Sequence, residues 1–188
     1  MSQLAPGVWG WAGADTVNAN MALLSRDLDQ KGSATIVNIA DVVTPGVLLG
    51  LESAVSDSKF LEEHKVQETI AVGKSLAAPG PEVMSTVYAF EDEDAASILA
   101  FFPKAFKKMD AAIEDEGAVL VYCGTGQAST AMCVGYIMAK QGLSYEDAMA
   151  QVKEARPGGL PDGLNRNLSR QLITWKKWPE FPGLPDWM

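Results

Sequence analysis

The segment 118-AVLVYCGTGQASTAMC-133 is the feature that most restricts how this chain can fold. Four apolar residues lead into Tyr122 and Cys123, a glycine-rich loop follows, and small polar residues then enter an apolar stretch. This order predicts a buried strand, a tight loop and the start of a helix. Such a junction gathers free backbone N–H groups around one point, where an anion can bind. The segment therefore predicts an anion-binding loop that begins with a cysteine.

Composition narrows the class of protein. The chain has 188 residues and 47% hydrophobic residues, which predicts one soluble globular domain with a substantial core. A net charge of −9 disfavours nucleic acid and anionic membranes as partners. Membrane insertion is not expected, because no apolar run approaches the ~18 residues of a membrane helix. The N-terminus lacks the pattern of a secretory signal, so a cytoplasmic location is expected, although a processed organellar form is also compatible.

The cysteine and histidine content predicts neither a disulfide framework nor a metal site. Two cysteines fit a reducing compartment, and no Cys/His cluster has metal-ligand spacing. No cofactor is expected. Cys133 is interpreted as a core residue, with a disulfide to Cys123 as the minor alternative. His64, the only histidine, is interpreted as a surface residue of a charged helix.

Hydrophobic periodicity predicts strands that alternate with helices early in the chain, followed mostly by helices. The pattern is weakest over residues 41–81, where 46–54 is apolar and broken by glycine. This order predicts an α/β fold with a central mixed, largely parallel sheet flanked by helices on both faces. The predicted strands are 8–10, 34–39, 83–90 and 118–122, and the predicted helices are 16–28, 58–69, 97–115, 129–141, 144–155 and 162–178.

With this order of elements, the chain resembles the dual-specificity branch of the cysteine-dependent protein tyrosine phosphatases. The signature loop of that family is His-Cys-x-x-Gly-x-Ser-Arg-Ser/Thr between an apolar strand and a helix, and here the loop is 122-YCGTGQAST-130. The downstream segments 138-MAKQGLS-144, 156-RP-157 and 161-PDGL-164 are similar to the family as well. The resemblance implies the phosphatase fold and extends from about residue 4 to residue 175.

Two upstream segments also look like the family. The segment 5-APGVWGWAG-13 is similar to its opening strand, and 34-ATIVNIAD-41 is similar to its asparagine-containing second strand. The domain organisation implied is a phosphatase-like domain over residues 1–178. Residues 179–188 then form an arm rich in proline and aromatic residues, which either docks a partner or folds back onto the domain.

The resemblance implies a double displacement on phosphorus. In the family, a cysteine thiolate attacks, an aspartic acid protonates the leaving oxygen, and water hydrolyses the cysteinyl-phosphate. These roles correspond here to Cys123 as nucleophile and Asp92 as general acid, while Thr130 matches the hydroxyl that hydrogen-bonds the thiolate. The residues of the anion loop are Gly124, Thr125, Gly126, Gln127, Ala128 and Ser129.

Each of these residues also has a structural interpretation. Cys123 could be a small buried apolar residue, the commonest role of a free cysteine. Thr130 could cap the helix that follows the loop. Asp92 could belong to a solvated acidic stretch, 91-EDED-94, that favours the N-terminus of the next helix.

Three positions depart from the family loop: Ser129 stands at the arginine position, Tyr122 at the histidine position and Ala128 at the serine position. No basic residue lies between Lys108 and Lys140 that could replace the arginine locally. Removing one preorganised donor to a transition state typically lowers the rate by a hundredfold or more. The loop therefore predicts a disabled phosphatase.

Other features leave room for activity. Arg166 is the candidate for a replacement cation, the alternative being a solvated surface arginine. Tyr122 either fills the space of the histidine with its ring or closes the pocket with its hydroxyl.

These observations favour a dual-specificity-phosphatase-like pseudophosphatase that acts by binding or assembly. The alternative is an active cysteine enzyme with an altered substrate, in which Cys123 attacks and Asp92 donates the proton. A third hypothesis is a structural subunit docked through residues 179–188. A protein partner is expected, and a weak phosphate or phosphoprotein ligand is compatible with the loop.

Overall fold

A computed structural model describes residues 24–28, 34–38, 40–74, 76–91, 97–156 and 163–176. The chain divides into two compact units, residues 1–38 and 39–188. In the first unit, β1 (Leu24–Leu28) pairs antiparallel with β2 (Ala34–Asn38) in a two-stranded sheet.

The second unit is built on a five-stranded sheet with the order β3-β4-β7-β5-β6. The antiparallel pair β3–β4 is followed by parallel pairing of β4, β7, β5 and β6. All five residues of the central strand β7 are buried, as expected for a parallel strand covered on both faces. The strands are β3 (Ala40–Thr44), β4 (Val47–Gly50), β5 (Val66–Val72), β6 (Met84–Tyr88) and β7 (Ala118–Tyr122).

Helices cover both faces of this sheet, which confirms the predicted fold class. One face packs against α2 to α5 in a core that includes Val121 and Cys123. The other face packs against α1 and a 3-10 turn at Glu52–Ser56 in a core that includes Tyr122. The helices are α1 (Ser58–Glu63), α2 (Phe102–Glu114), α3 (Gln127–Gln141), α4 (Tyr145–Ala155) and α5 (Arg166–Lys176), and a second 3-10 turn, Ile98–Phe101, precedes α2.

Several predicted elements are confirmed. The strand 118–122 has the predicted bounds, and the strand predicted over 83–90 is β6. The helix predicted over 144–155 is α4, and it is capped by Ser144, whose Oγ accepts from the Asp147 N–H at 3.1 Å. The helix predicted over 129–141 begins two residues earlier, at Gln127.

Two predicted helices are wrong in part. The described end of 16–28 is strand β1, because a spacing of four residues between apolar positions fits the period of a strand as well as that of a helix. The helix predicted over 58–69 ends at Glu63, and Lys65 takes a left-handed φ of 52° before the β-rich segment of β5 begins. The strand predicted over 8–10 lies outside the described residues.

The strands β3 and β4 fall in the region where the sequence pattern was weakest. Pro45 and Gly46 turn the chain between them, and Gly46 has a φ of 76°, which favours glycine. The strand β2 was predicted as the second strand of the family sheet, but it pairs with β1 in the separate two-stranded sheet. Within the described ranges, no helix combines the length and apolar character needed to cross a membrane.

A buried ion pair joins β3 to the end of α4. The Arg156 Nη1 atom donates to Asp41 Oδ2 and to the Leu49 carbonyl, both at 2.8 Å. The two charged side chains are 3% and 5% exposed. Burial at this depth makes each charge dependent on its partner.

We expect Arg156→Met to lower the free energy of unfolding by about 3–5 kcal/mol, because Asp41 would remain buried without its cation. Urea denaturation measures this loss. The double variant Asp41→Leu/Arg156→Met removes both charges and should recover much of it. Equal losses in the single and double variants would contradict the role assigned to the pair.

Candidate active site

The cysteine loop lies at the carboxyl end of β7, the edge at which parallel α/β sheets place their ligands. Gly124 and Thr125 are exposed, whereas the last part of the loop, from Ala128 to Thr130, is buried. Gly126 has a φ of 78°, and a Cβ there would meet nothing within 4 Å. The requirement for glycine at this position is therefore the backbone conformation rather than space.

The Cys123 sulfur is held by Ser129. The Ser129 backbone N–H donates to Sγ at 3.3 Å, and Ser129 Oγ lies 3.1 Å from the same sulfur. Cys123 is 3% exposed and Ser129 is fully buried. The residue at the family's arginine position therefore faces inward, onto the sulfur.

Thr130 has a different environment from the one that the resemblance implies. Its hydroxyl is buried and has no hydrogen-bond partner among the described residues. Its backbone N–H donates to the Gly126 carbonyl at 3.2 Å, and its hydroxyl caps no N–H group of α3. The structure thus shows a hydrogen bond for neither of the roles considered for this hydroxyl, and its part in catalysis stays a prediction.

Gln127 ties the loop to the start of α5. Its Nε2 donates to the Gly163 carbonyl at 3.3 Å, and its Oε1 accepts from the Asn165 N–H at 2.9 Å. Asn165 Oδ1 in turn caps α5 by accepting from the Leu168 N–H at 2.9 Å. Sequence reasoning gave Gln127 no such role, because no local pattern identifies its distant partner. Arg166 follows this tether directly and is exposed.

Tyr122 points away from the thiol, to the other face of the sheet. Its ring is fully buried, and its hydroxyl donates to the Ala77 carbonyl. The Ala77 N–H donates to Glu52 Oε1, so this segment is held from both sides. Burial raises the pKa of Tyr122, and the Glu52 carboxylate raises it further, while hydrogen bonds from Thr69 and Ser85 oppose the shift.

The segment anchored by Tyr122 forms a wall of the loop. Leu76 Cδ2 lies 3.9 Å from the position that a Cβ on Gly124 would occupy. The tyrosine at the histidine position therefore fixes an apolar side chain beside the exposed part of the loop, through a hydroxyl that histidine lacks.

The acidic segment is only partly described. Asp92 lies outside the described residues, so its role as general acid stays a prediction. The neighbouring Glu91 carboxylate pairs with Lys74, which joins the start of this segment to the turn after β5.

The remaining sequence candidates lie in or beside the two cores. Cys133 is fully buried, which confirms its interpretation as a core residue, and both cysteines are free. Burial raises the pKa of the Cys133 thiol, and the nearby Cys123 adds to this shift while Arg156 opposes it. His64 is half-buried against the Phe60 ring, and burial lowers its pKa. Among the described residues, no group of three or more His, Cys, Asp or Glu could hold a metal ion.

A cysteine loop between a central parallel strand and a buried helix is the arrangement that the resemblance to the cysteine-dependent phosphatases implies. The family described as dual specificity phosphatase, catalytic domain, matches residues 47–178. The chain therefore belongs to the dual specificity phosphatase family. The match begins after the segments 5–13 and 34–41. The family's opening strand over 5–13 stays a prediction, whereas its second strand over 34–41 was wrong, because residues 34–38 pair with β1 in a separate sheet. The domain bounds 1–178 and 179–188 stay predictions.

The chain is also similar in sequence to individual proteins named as dual specificity phosphatases. The chain is 31% identical to mouse dual specificity protein phosphatase 19 over 145 residues, which cover 76% of this chain and 64% of that one. It is 35% identical to human dual specificity phosphatase 28 over 127 residues, or 64% of this chain and 69% of that one. The match thus spans about two thirds of the length of these relatives.

Solved structures show the same fold. Human DUSP28 superposes with a TM-score of 0.69 at 28% identity, covering 77% of this chain and 97% of that one. The human tyrosine phosphatase-like serine/threonine/tyrosine-interacting protein gives 0.66 at 26% identity, covering 73% and 95%.

We expect Tyr122→Phe to loosen the wall around Leu76 without opening the sheet. Loss of the hydrogen bond to Ala77 should lower the free energy of unfolding by about 1 kcal/mol. It should also speed amide hydrogen exchange across residues 76–83, measured by mass spectrometry. Tyr136→Phe is the matched control, since it removes a tyrosine hydrogen bond to Asp110 at a different place. Equal exchange of this segment in both variants would show that Tyr122 does not anchor it.

Proposed function

We propose that this protein is a pseudophosphatase, a dual-specificity-phosphatase domain that keeps the cysteine loop and acts by binding rather than by hydrolysis. One observation carries the proposal: Ser129 stands where the family has arginine, and its side chain is buried against the Cys123 sulfur. A serine at this position cannot place a forked pair of donors on the equatorial oxygens of a phosphoryl group.

The charges near the loop support this proposal. Arg156 is engaged with Asp41, and three lysines pair with carboxylates. On a chain with a net charge of −9, a phosphate dianion without an arginine would meet an unfavourable overall field. The three lysine pairs are Lys74–Glu91, Lys108–Glu68 and Lys140–Asp110.

Binding would then be the function that remains. A structural neighbour at 26% identity is named as an interacting protein that is tyrosine phosphatase-like. By analogy, a protein partner is the ligand we favour for this chain, met through residues 179–188, with Trp187 and the neighbouring prolines as contacts. A weak phosphate or phosphoprotein ligand at residues 124–129 would use backbone N–H groups alone. Cytoplasmic location belongs to the same proposal.

A second candidate is an active cysteine phosphatase with an altered substrate, in which Cys123 attacks and Asp92 protonates the leaving group. The Gln127 tether favours it, because the tether holds the residue before Arg166 against the loop. In this candidate Arg166 supplies the missing cation from α5.

Restoring the arginine tests the proposal. We expect wild type to hydrolyse p-nitrophenyl phosphate no faster than Cys123→Ser. The double variant Ala128→Ser/Ser129→Arg should gain Cys123-dependent turnover by a hundredfold or more, the typical effect of a transition-state donor. The Ser129→Lys counterpart restores charge without the planar fork and should gain much less. Because position 129 is buried, thermal unfolding of each variant accompanies the assay.

The opposite outcome identifies the second candidate. Turnover by wild type that disappears in Cys123→Ser would overturn the pseudophosphatase proposal. The variant Arg166→Ala would then test whether Arg166 supplies the missing cation. Arg170→Ala is the control on the same helix.

A further inference from the structure

The geometry points to Ser129, and not Thr130, as the residue whose hydroxyl stabilises the Cys123 thiolate in this protein. This inference concerns the ionisation of the sulfur and holds whether or not the loop hydrolyses phosphate. It assigns Ser129 a positioning role that the family's pattern gives to the neighbouring hydroxyl.

Two contacts from one residue carry the inference. Ser129 presents its backbone N–H at 3.3 Å and its Oγ at 3.1 Å to the Cys123 sulfur. Sulfur hydrogen bonds are long, so both distances are within reach of a donor that points at Sγ. Since Cys123 is 3% exposed, water contributes little to the solvation of a negative charge at this atom. The donors that the protein supplies therefore decide how readily the thiol ionises.

The Ser129 hydroxyl also has a second acceptor, so it can form a hydrogen bond both when Cys123 is a thiol and when it is a thiolate. Its Oγ lies 3.5 Å from the Gly126 carbonyl. When Cys123 is a thiol, the S–H donates to Ser129 Oγ and the hydroxyl proton turns toward Gly126. When Cys123 loses its proton to solvent, the Ser129 hydroxyl rotates and donates to the thiolate. No heavy atom has to move between these states.

Thr130 is not placed for this role. Its hydroxyl is buried and makes no hydrogen bond to the Cys123 sulfur or to any other atom of the described residues. Neighbouring residues of a helix point about 100° apart, and here it is the Ser129 side chain that is directed at the sulfur. In this loop, the residue that replaced arginine has taken the position facing the sulfur.

A thiolate titration tests the inference. Absorbance at about 240 nm reports the thiolate, and subtraction of the Cys123→Ser spectrum at each pH isolates Cys123. Other ionisable side chains contribute little to the change in this absorbance below pH ~10. Burial raises the pKa of all four tyrosines and of the Cys133 thiol.

We expect Ser129→Ala to raise the midpoint of thiolate formation by about one pH unit, the effect of losing a hydrogen bond to a charged group. Thr130→Val should leave the midpoint within about 0.3 unit of wild type. Threonine and valine have nearly the same shape, so comparing them at each of the two positions controls for changes in side-chain shape. Ser129→Thr should titrate below Ser129→Val, whereas wild-type Thr130 and Thr130→Val should agree.

Two other results would contradict the inference. A midpoint that moves in Thr130→Val and not in Ser129→Ala would return the role to Thr130. Unchanged midpoints in both variants would mean that backbone N–H groups alone set the ionisation. Circular dichroism of each variant confirms that the fold is intact, and the Ser129→Thr and Ser129→Val pair decides the question if Ser129→Ala does not fold. Phosphatase turnover enters none of these readouts, so failure of this inference leaves the proposed function standing.

Discussion

The hydrogen bonding of β7 on both of its edges is the constraint on which the rest of the site depends. Parallel neighbours β4 and β5 fix the strand, and helices bury both of its faces. The chain can then leave the sheet only at the carboxyl edge, where Cys123 begins the loop. Because alternate side chains of a strand point to opposite faces, Tyr122 and Cys123 enter different cores. The central strand thus sets the position of the sulfur before any loop residue acts.

The local sequence was enough to predict an element where a single continuous segment specifies that element. The strand 118–122, the loop and the helix after it were predictable, because an apolar run, glycine and a helical pattern occur in direct succession. The first strands of the domain were not, since the chain carries two similar patterns. The segment 6-PGVWG-10 resembles 45-PGVLLG-50, and Thr35-Ile36 is repeated as Thr69-Ile70. Which copy enters the five-stranded sheet depends on long-range pairing, and no local propensity encodes that choice.

The same limit applies inside the site. The loop motif named Cys123, Thr130 and Ser129 by position, but the direction of each hydroxyl depends on how α3 begins. A glycine with a φ of 78° at position 126 rotates the first turn so that Ser129 meets the sulfur. The segment that begins at Gly163 and the segment around Leu76 reach the loop from distant parts of the chain, 36 residues away for the Gln127–Gly163 bond and 45 for Tyr122–Ala77. Such partners are set by tertiary packing and have no signature in the motif.

The departures from the family loop are structurally consistent with one another. A loop that had only decayed would leave voids or unpaired polar groups at the changed positions, each of which costs stability. Here Tyr122 fills its core and bonds Ala77, Ala128 is buried, and Ser129 bonds the sulfur. The unpaired hydroxyl in the described part of the loop belongs instead to Thr130, a residue that matches the family. The three changed positions are therefore accommodated by packing or hydrogen bonding, and the cost of a buried unpaired hydroxyl falls on a position that matches the family.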